Sequence, residues 1–228
     1  MKIINITRQH PSVLYINISC IISFKYLKEI WLFNCCQGCQ HIIERQHLKI
    51  SQISKIILTD LNIINISGLL GLLSSLSLIN RKKVLHIYAT RQIRQYLELG
   101  KKYSQTNFRY HLYIHTINTG LIIKKSHHHI YAFSDKSQFD FVLISREKYG
   151  KFKLNKAHKL NIIKGPLYGR LKNGYSFLMP DGITLDGNNF TNNNEVGSKI
   201  SLLAHRYHTR NAIEIMQKSQ VLIYTLNK

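Results

Sequence analysis

The chain predicts one α/β domain, and three observations carry that prediction. Its 228 residues, 44% of them hydrophobic, are enough to bury a real core. Short β-branched runs alternate with segments of helical period toward both ends. Between them lies a stretch, residues 108–144, made of several strand-like pieces in which no helical pattern competes. No fixed-period repeat is visible.

The elements follow in order. Residues 14–24 (LYINISCIISF) alternate and are β-branched, and residues 30–35 (IWLFNC) repeat the signal after a short basic turn, so the chain opens on a hairpin-like pair. In residues 37–48, Ile42, Ile43 and Leu48 recur at helical spacing, and residues 55–59 (KIILT) read as a short buried strand. Residues 67–79 (SGLLGLLSSLSLI) predict a helix apolar nearly all round, buried or at an interface and too short to span a bilayer. A strand at 84–89 is followed by an amphipathic helix at 90–102, with Ile93, Tyr96 and Leu97 on one face. After the β-rich middle, residues 149–182 change character: Lys and Gly rise and the apolar pattern becomes too sparse for a core. They predict a protruding basic arm inserted into the single domain 1–228. A polar loop, a strand at 199–204, a helix at 209–218 and a strand at 221–226 complete the chain.

Charge narrows the function. Lys and Arg number 32 against 11 Asp and Glu, a formal +21. Such a balance repels itself in a compact state, and a polyanion relieves it. Nucleic acid is therefore the leading partner, with an anionic membrane surface second. The abundance of Ile, Asn, Lys and Leu resembles AT-rich coding bias, which discounts part of that charge. The apolar run 13–24 is broken by Asn17 and followed by no small-residue cleavage site, which argues against a signal peptide and hence against a disulfide scaffold. The N-terminus also lacks the Arg/Ser-rich pattern of a transit peptide, so the protein is expected to stay where it is made.

Several clusters could carry chemistry. In the arm, Lys148, Lys151, Lys153, Lys156, Lys159, Lys164, Arg170 and Lys172 surround Tyr149, Phe152 and Tyr168, which suits phosphate contacts with flat rings against sugar or base. Gly165, Pro166 and Gly169 shape that backbone. His127, His128 and His129 are read as a solvated basic patch, since in a strand only His127 and His129 could share a side. Cys35, Cys36 and Cys39 lack a second Cys or His pair at zinc-finger spacing. His205 and His208 form an i, i+3 pair at a strand-to-helix junction.

Three stretches resemble the short form of ribonuclease Z, the metallo-β-lactamase-fold endonuclease that trims the 3′ ends of precursor tRNA. Residues 32–40 (LFNCCQGCQ) are similar to its FDCGEGTQ turn, residues 54–78 to its metal-motif segment and following helix, and residues 150–174 (GKFKLNKAHKLNIIKGPLYGRLKNG) to its tRNA-gripping arm. The resemblance implies an αββα sandwich, here shortened at its C-terminus. It implies Lys151, Lys153, Lys164, Gly165, Pro166, Tyr168, Gly169, Arg170 and Lys172 as RNA-binding residues. The family's Thr-His-x-His-x-Asp-His motif corresponds to Thr59 through Asn65, and its ligand positions hold Asp60, Asn62, Ile64 and Asn65. Neither isoleucine nor a neutral amide serves a zinc ion that must make hydroxide from water. The bridging aspartate corresponds to His208, and the next histidine position has only Asp135 near it. The family's last histidine would fall beyond Lys228. Asp60 and His208 would be brought together by the shared fold.

These readings combine into a degenerate ribonuclease Z-like protein that binds tRNA or precursor tRNA, with no zinc or other cofactor and no catalytic set. It is similar to reading frames of red-algal plastid genomes, so it is expected to be plastid-encoded. The helix at 67–79 resembles the family's dimer-forming region, so a homodimer or a complex with a complete ribonuclease Z is expected. Two alternatives stand beside this reading: an active zinc phosphodiesterase with rearranged ligands, and a relic without function.

Overall fold

The computed structural model describes residues 2–5, 19–24, 26–135, 138–147, 149–193, 196–203, 210–219 and 221–224. Two sheets face each other. The first has six strands in chain order: β1 (Lys2–Asn5), β2 (Cys20–Phe24), β3 (Glu29–Phe33), β4 (Ile53–Ile57), β5 (Leu85–Ala89) and β6 (Leu112–Thr116). The pairs β1–β2 and β2–β3 are antiparallel, and β3 to β6 run parallel. Parallel neighbours need crossovers, and helices supply them: α1 (Cys39–Arg45), then α2 (Ile63–Ile66) with α3 (Leu69–Leu78), then α4 (Ile93–Ser104). The second sheet has the order β13-β12-β9-β8-β7, built from β7 (Gly120–Lys124), β8 (His128–Asp135), β9 (Gln138–Ser145), β12 (Ser198–Leu203) and β13 (Val221–Tyr224).

Period-two alternation sorts the side chains into layers. In β5, Leu85, Ile87 and Ala89 are fully buried toward the helices, where Leu72, Leu73, Leu76 and Ile93 complete one core. Trp31, Phe33 and Ile57 point the other way and meet Ile130, Phe141, Leu143 and Ile200 of the second sheet in another. On the outer face of the second sheet, Ile215 of α7 (Arg210–Met216) packs against Val142 and Leu203. The result is the expected αββα layering. No helix among the described residues is long and apolar enough to cross a membrane.

Some expectations change. β1 was not apparent in the sequence, and the strand expected from residue 14 begins at Cys20; residues 14–18 lie outside the described residues. α3 is one-sided. Leu69, Leu72, Leu73 and Leu76 form an i, i+3, i+4, i+7 stripe in the core, while Gly71, Ser74 and Ser75 face outward. The Ser74 and Ser75 hydroxyls donate to the carbonyls of Leu70 and Gly71, which satisfies them within the helix.

The arm differs most. Ala157, Ile162, Leu171, Leu185 and Phe190 form a buried cluster of their own, with Phe152, Leu167, Tyr168, Phe177 and Met179 around it. Its elements are α5 (Leu154–Lys159), α6 (Pro166–Lys172), the two-residue strands β10 (Phe177–Leu178) and β11 (Thr184–Leu185), and a 3-10 turn at Gly187–Phe190. A bridge between Phe152 and Thr191 closes its base. There a Cβ on Gly150 would lie 2.3 Å from the Asn192 carbonyl oxygen, so only glycine fits.

Candidate nucleic-acid interface and the loop after β4

The loop after β4 is where the resemblance would put metal ligands. A backbone hydrogen bond from Phe139 to the Thr59 carbonyl (2.9 Å) ties it to the start of β9, so the two sheets meet there. Asn34, in the left-handed region at φ 54°, offers its Oδ1 to the Thr59 N–H (2.9 Å) and hydroxyl (3.2 Å). The Asn65 Nδ2 donates to Thr59 Oγ1 (3.2 Å) and to Asp60 Oδ1, which also accepts from the Asn62 N–H (3.0 Å). The Asn62 side chain caps α2 by accepting from the Ile64 N–H (3.2 Å). Asp60 and Asn65 are buried, and Asp60 Oδ2 has no hydrogen-bond partner among the described residues.

Three of the four ligand-position residues are thus engaged in an internal amide and carboxylate network, and the fourth, Ile64, offers no donor atom. Among the described residues no group of three or more His, Cys, Asp or Glu could hold a metal ion. His205 and His208 lie outside the described residues, as do Lys148 and the side chain of Asp135.

The other clusters are placed as follows. β8 begins at His128, not His127. His128 turns inward, its Nδ1 2.9 Å from Ser145 Oγ and its ring against Phe24, while His129 is also buried and His127 is exposed. The solvated patch is therefore limited to His127. Cys35 and Cys39 are fully buried with their sulfurs 3.3 Å apart. Burial pushes the Cys35 thiol well above its ordinary range and that of Cys36 up to about 11. Both therefore stay protonated at neutral pH, and neither is poised as a thiolate ligand.

The arm presents its charges outward. Lys151, Lys153, Lys156, Lys159, Lys164, Arg170 and Lys172 are all exposed around the buried cluster. Tyr168 is half-buried: its hydroxyl donates to the Ile162 carbonyl (2.8 Å) and its ring lies 4.9 Å from that of Phe152. These two rings hold the arm together, and Tyr149 (48% exposed) and Tyr175 (61%) are the freer ones. Gly165 and Gly169 are exposed, and a Cβ on either would meet nothing within 4 Å. The arm's own packing does not require glycine at either place.

No protein-family model matches the chain. The uncharacterized protein ycf56 of Porphyra purpurea is 38% identical over 177 residues, 76% of this chain and 67% of its own length. Its counterpart in Pyropia yezoensis is 41% identical over the same shares. Ribonuclease Z of Acaryochloris marina is 34% identical over 199 residues, 86% of this chain and 63% of that protein. The chain belongs to the ribonuclease Z-like family. It spans less than two thirds of the length of that ribonuclease Z. Human tRNase Z, short form, superposes with a TM-score of 0.55 at 22% identity, over 64% of this chain and 65% of that one. The fold is the metallo-β-lactamase fold.

Zinc, which this family implies, does not fit the residues found after β4. Asp60 alone keeps a ligating side chain at the four positions, and one of its oxygens already accepts two hydrogen bonds. The Asn65 amide, placed where an imidazole would be, is oriented to donate to that carboxylate and not to accept a cation.

Proposed function

We propose that this protein binds tRNA or precursor tRNA through its arm and does not cleave it by zinc-hydroxide chemistry. The observation that carries the reading is the arm itself: a small self-packed unit with Lys151, Lys153, Lys159, Lys164, Arg170 and Lys172 exposed on it, Lys156 turned back to the Asn189 carbonyl, and two glycines that its fold does not use. A self-packed unit holds its charges at fixed spacing, which a solvated lysine-rich loop does not. Glycines with open space before them let a phosphodiester backbone come close. The ribonuclease Z relatives in cyanobacteria and the ycf56 relatives in red algae support a plastid-encoded protein. Leu78 (86% exposed) and Ile79 (48%) are what the end of α3 leaves for a homodimer or a complex with a complete ribonuclease Z.

One observation favours the rival enzyme reading: the buried Asp60 Oδ2, without a hydrogen-bond partner among the described residues, could serve a rearranged centre. Metal analysis of the purified protein and a precursor-tRNA cleavage assay with added zinc or manganese decide between them. The expected result is tRNA binding without stoichiometric metal and without cleavage. Cleavage that disappears in Asp60→Ala and His208→Ala would overturn it, and absence of any tRNA binding would leave the relic.

A further inference from the structure

We propose that the flank of the inter-sheet layer beside β5, β6 and the end of β7 is a binding site for a phosphate-type anion, held by Lys55, Lys125, His86 and His115. The inference stands apart from the arm and does not rest on the tRNA reading.

Alternation builds the flank. In LHIYA (β5) and LYIHT (β6) the odd-numbered residues of one strand and the even-numbered residues of the other face the helices, which leaves His86, Tyr88, Tyr113 and His115 on the opposite, inter-sheet face. Cross-strand register lines up Trp31, Lys55, His86 and Tyr113 in one row, and Ile57, Tyr88 and His115 in the next. β6 and β7 are edge strands of their sheets, and here the inter-sheet face reaches solvent: Tyr113 is 54% exposed, while His86 and His115 are half-buried.

The charges do not balance. Among the described residues Glu29 is the carboxylate of this flank, and it is filled: it accepts from Lys125 Nζ at 2.8 and 2.6 Å, from Trp31 Nε1 at 3.3 Å and from Ser54 Oγ at 3.2 Å. Lys55 is 7% exposed. Its ammonium lies 5.7 Å from the Trp31 ring centre, with Lys125 at 5.8 Å from the same ring, and it has no hydrogen-bond acceptor among the described residues. An ammonium that is buried and unpaired is unfavourable, and a second cation beside it adds to that. Burial first and Lys125 second hold the Lys55 pKa below its ordinary value, against the attraction of the nearby Glu29 carboxylate.

The imidazoles supply directional groups. His86 Nδ1 and His115 Nε2 are 2.9 Å apart, so one ring donates to the other and at least one is neutral. The rings are stacked between Tyr113, at 5.5 Å from His86, and Tyr88, at 4.6 Å from His115, which fixes their orientation. His86 Nε2 and His115 Nδ1 have no partner among the described residues. Burial first and Lys55 next hold both histidines below their ordinary value of 6.5, so both are neutral at pH 7 in the free protein. A tetrahedral oxyanion has enough acceptor oxygens to meet an ammonium and ring N–H groups together, and its charge offsets the excess that Glu29 leaves. Protonation of the histidines strengthens that attraction, so affinity for an anion of fixed charge should rise as pH falls from 8 to 6.

Inorganic phosphate is the probe, added to the full chain while the imidazole resonances are followed by NMR and heat by calorimetry. The His86 and His115 signals should shift saturably with phosphate at pH 6; sulfate, whose charge is constant between pH 6 and 8, carries the pH comparison and should bind severalfold tighter at pH 6. Lys55→Met and His86→Asn should each weaken it about tenfold or more, whereas Lys102→Met on α4 should not. Lys55→Met removes an unpaired buried charge and should melt no lower than the parent, so lost binding there is not lost folding; His86→Asn is the independent check. A short single-stranded RNA that competes with phosphate identifies a phosphodiester as the source, and phosphate binding without competition identifies the free ion. Absence of a saturable shift at pH 6, or unchanged binding in both variants, overturns the proposal.

Discussion

Replacing Asn65 with leucine tests whether the loop after β4 is held by its amides. The two side chains are close in volume, so the change removes polarity more than packing. It deletes the donor to Asp60 Oδ1 and the 3.2 Å bond to Thr59 Oγ1. It leaves the buried Asp60 carboxylate with the Asn62 N–H as its one donor among the described residues, since Oδ2 already lacks one there. A hydrogen bond to a charged group is worth about 1.5–3 kcal/mol and a neutral one about 0.5–1.5, so a loss of roughly 2–4 kcal/mol is expected. For a chain of this size that lowers Tm by roughly 5–15 °C. Urea unfolding followed by circular dichroism measures it, with the slope against denaturant unchanged. Adding Asp60→Asn should then recover part of the loss, because the stranded charge is gone; a double-mutant cycle reads that coupling. An Asn65→Leu protein within about 0.5 kcal/mol of the parent, or strict additivity with Asp60→Asn, would refute the reasoning.

The arm gives two more expectations. Leu171 is fully buried in the arm's own cluster, so Leu171→Ala should open the arm, at a cost of about 2–5 kcal/mol to that unit. Limited proteolysis should move into residues 151–190 while the main unfolding midpoint stays in place; a matching fall of that midpoint would show the arm to be part of the main core. Gly165→Ala with Gly169→Ala meets empty space and should leave the melting temperature unchanged or slightly raised, yet weaken tRNA binding in a filter assay. Unchanged binding would mean that the glycines face nothing.

Much of the fold could be read from periodicity, and the misses have physical causes. Leu69, Leu72, Leu73 and Leu76 announce a helix because their spacing is local, and LHIYA announces a strand for the same reason. The arm's cluster is not periodic: Ala157, Ile162, Leu171, Leu185 and Phe190 are brought together by turns, so residue counting finds only sparse apolar positions. The sequence shows that the metal motif is replaced, but not that Asn34, 25 residues before Thr59, joins the replacement network. The histidine triplet shows how a start point decides a face: with β8 beginning at His128, the middle residue turns inward to Ser145. His86 and His115 each look like lone strand histidines; only the β5–β6 register, linking residues 29 apart, pairs them.

The central claim is that the arm's fixed charges bind tRNA. The salt dependence of tRNA binding tests it most directly. About four phosphate contacts would give a log–log slope near −3 to −4 and roughly hundredfold weaker binding between 50 and 200 mM salt. Replacing Lys151, Lys153, Lys164, Arg170 and Lys172 with alanine should reduce both affinity and slope. The comparison set is Lys82, Lys83, Arg91, Arg94 and Lys102, all exposed; Arg81 is left out because its guanidinium is bound to the carbonyls of Ser51, Lys83 and Val84. The account predicts a much smaller loss from that second set. Equal losses from the two sets would contradict it and make the +21 charge a diffuse field with no special role for the arm.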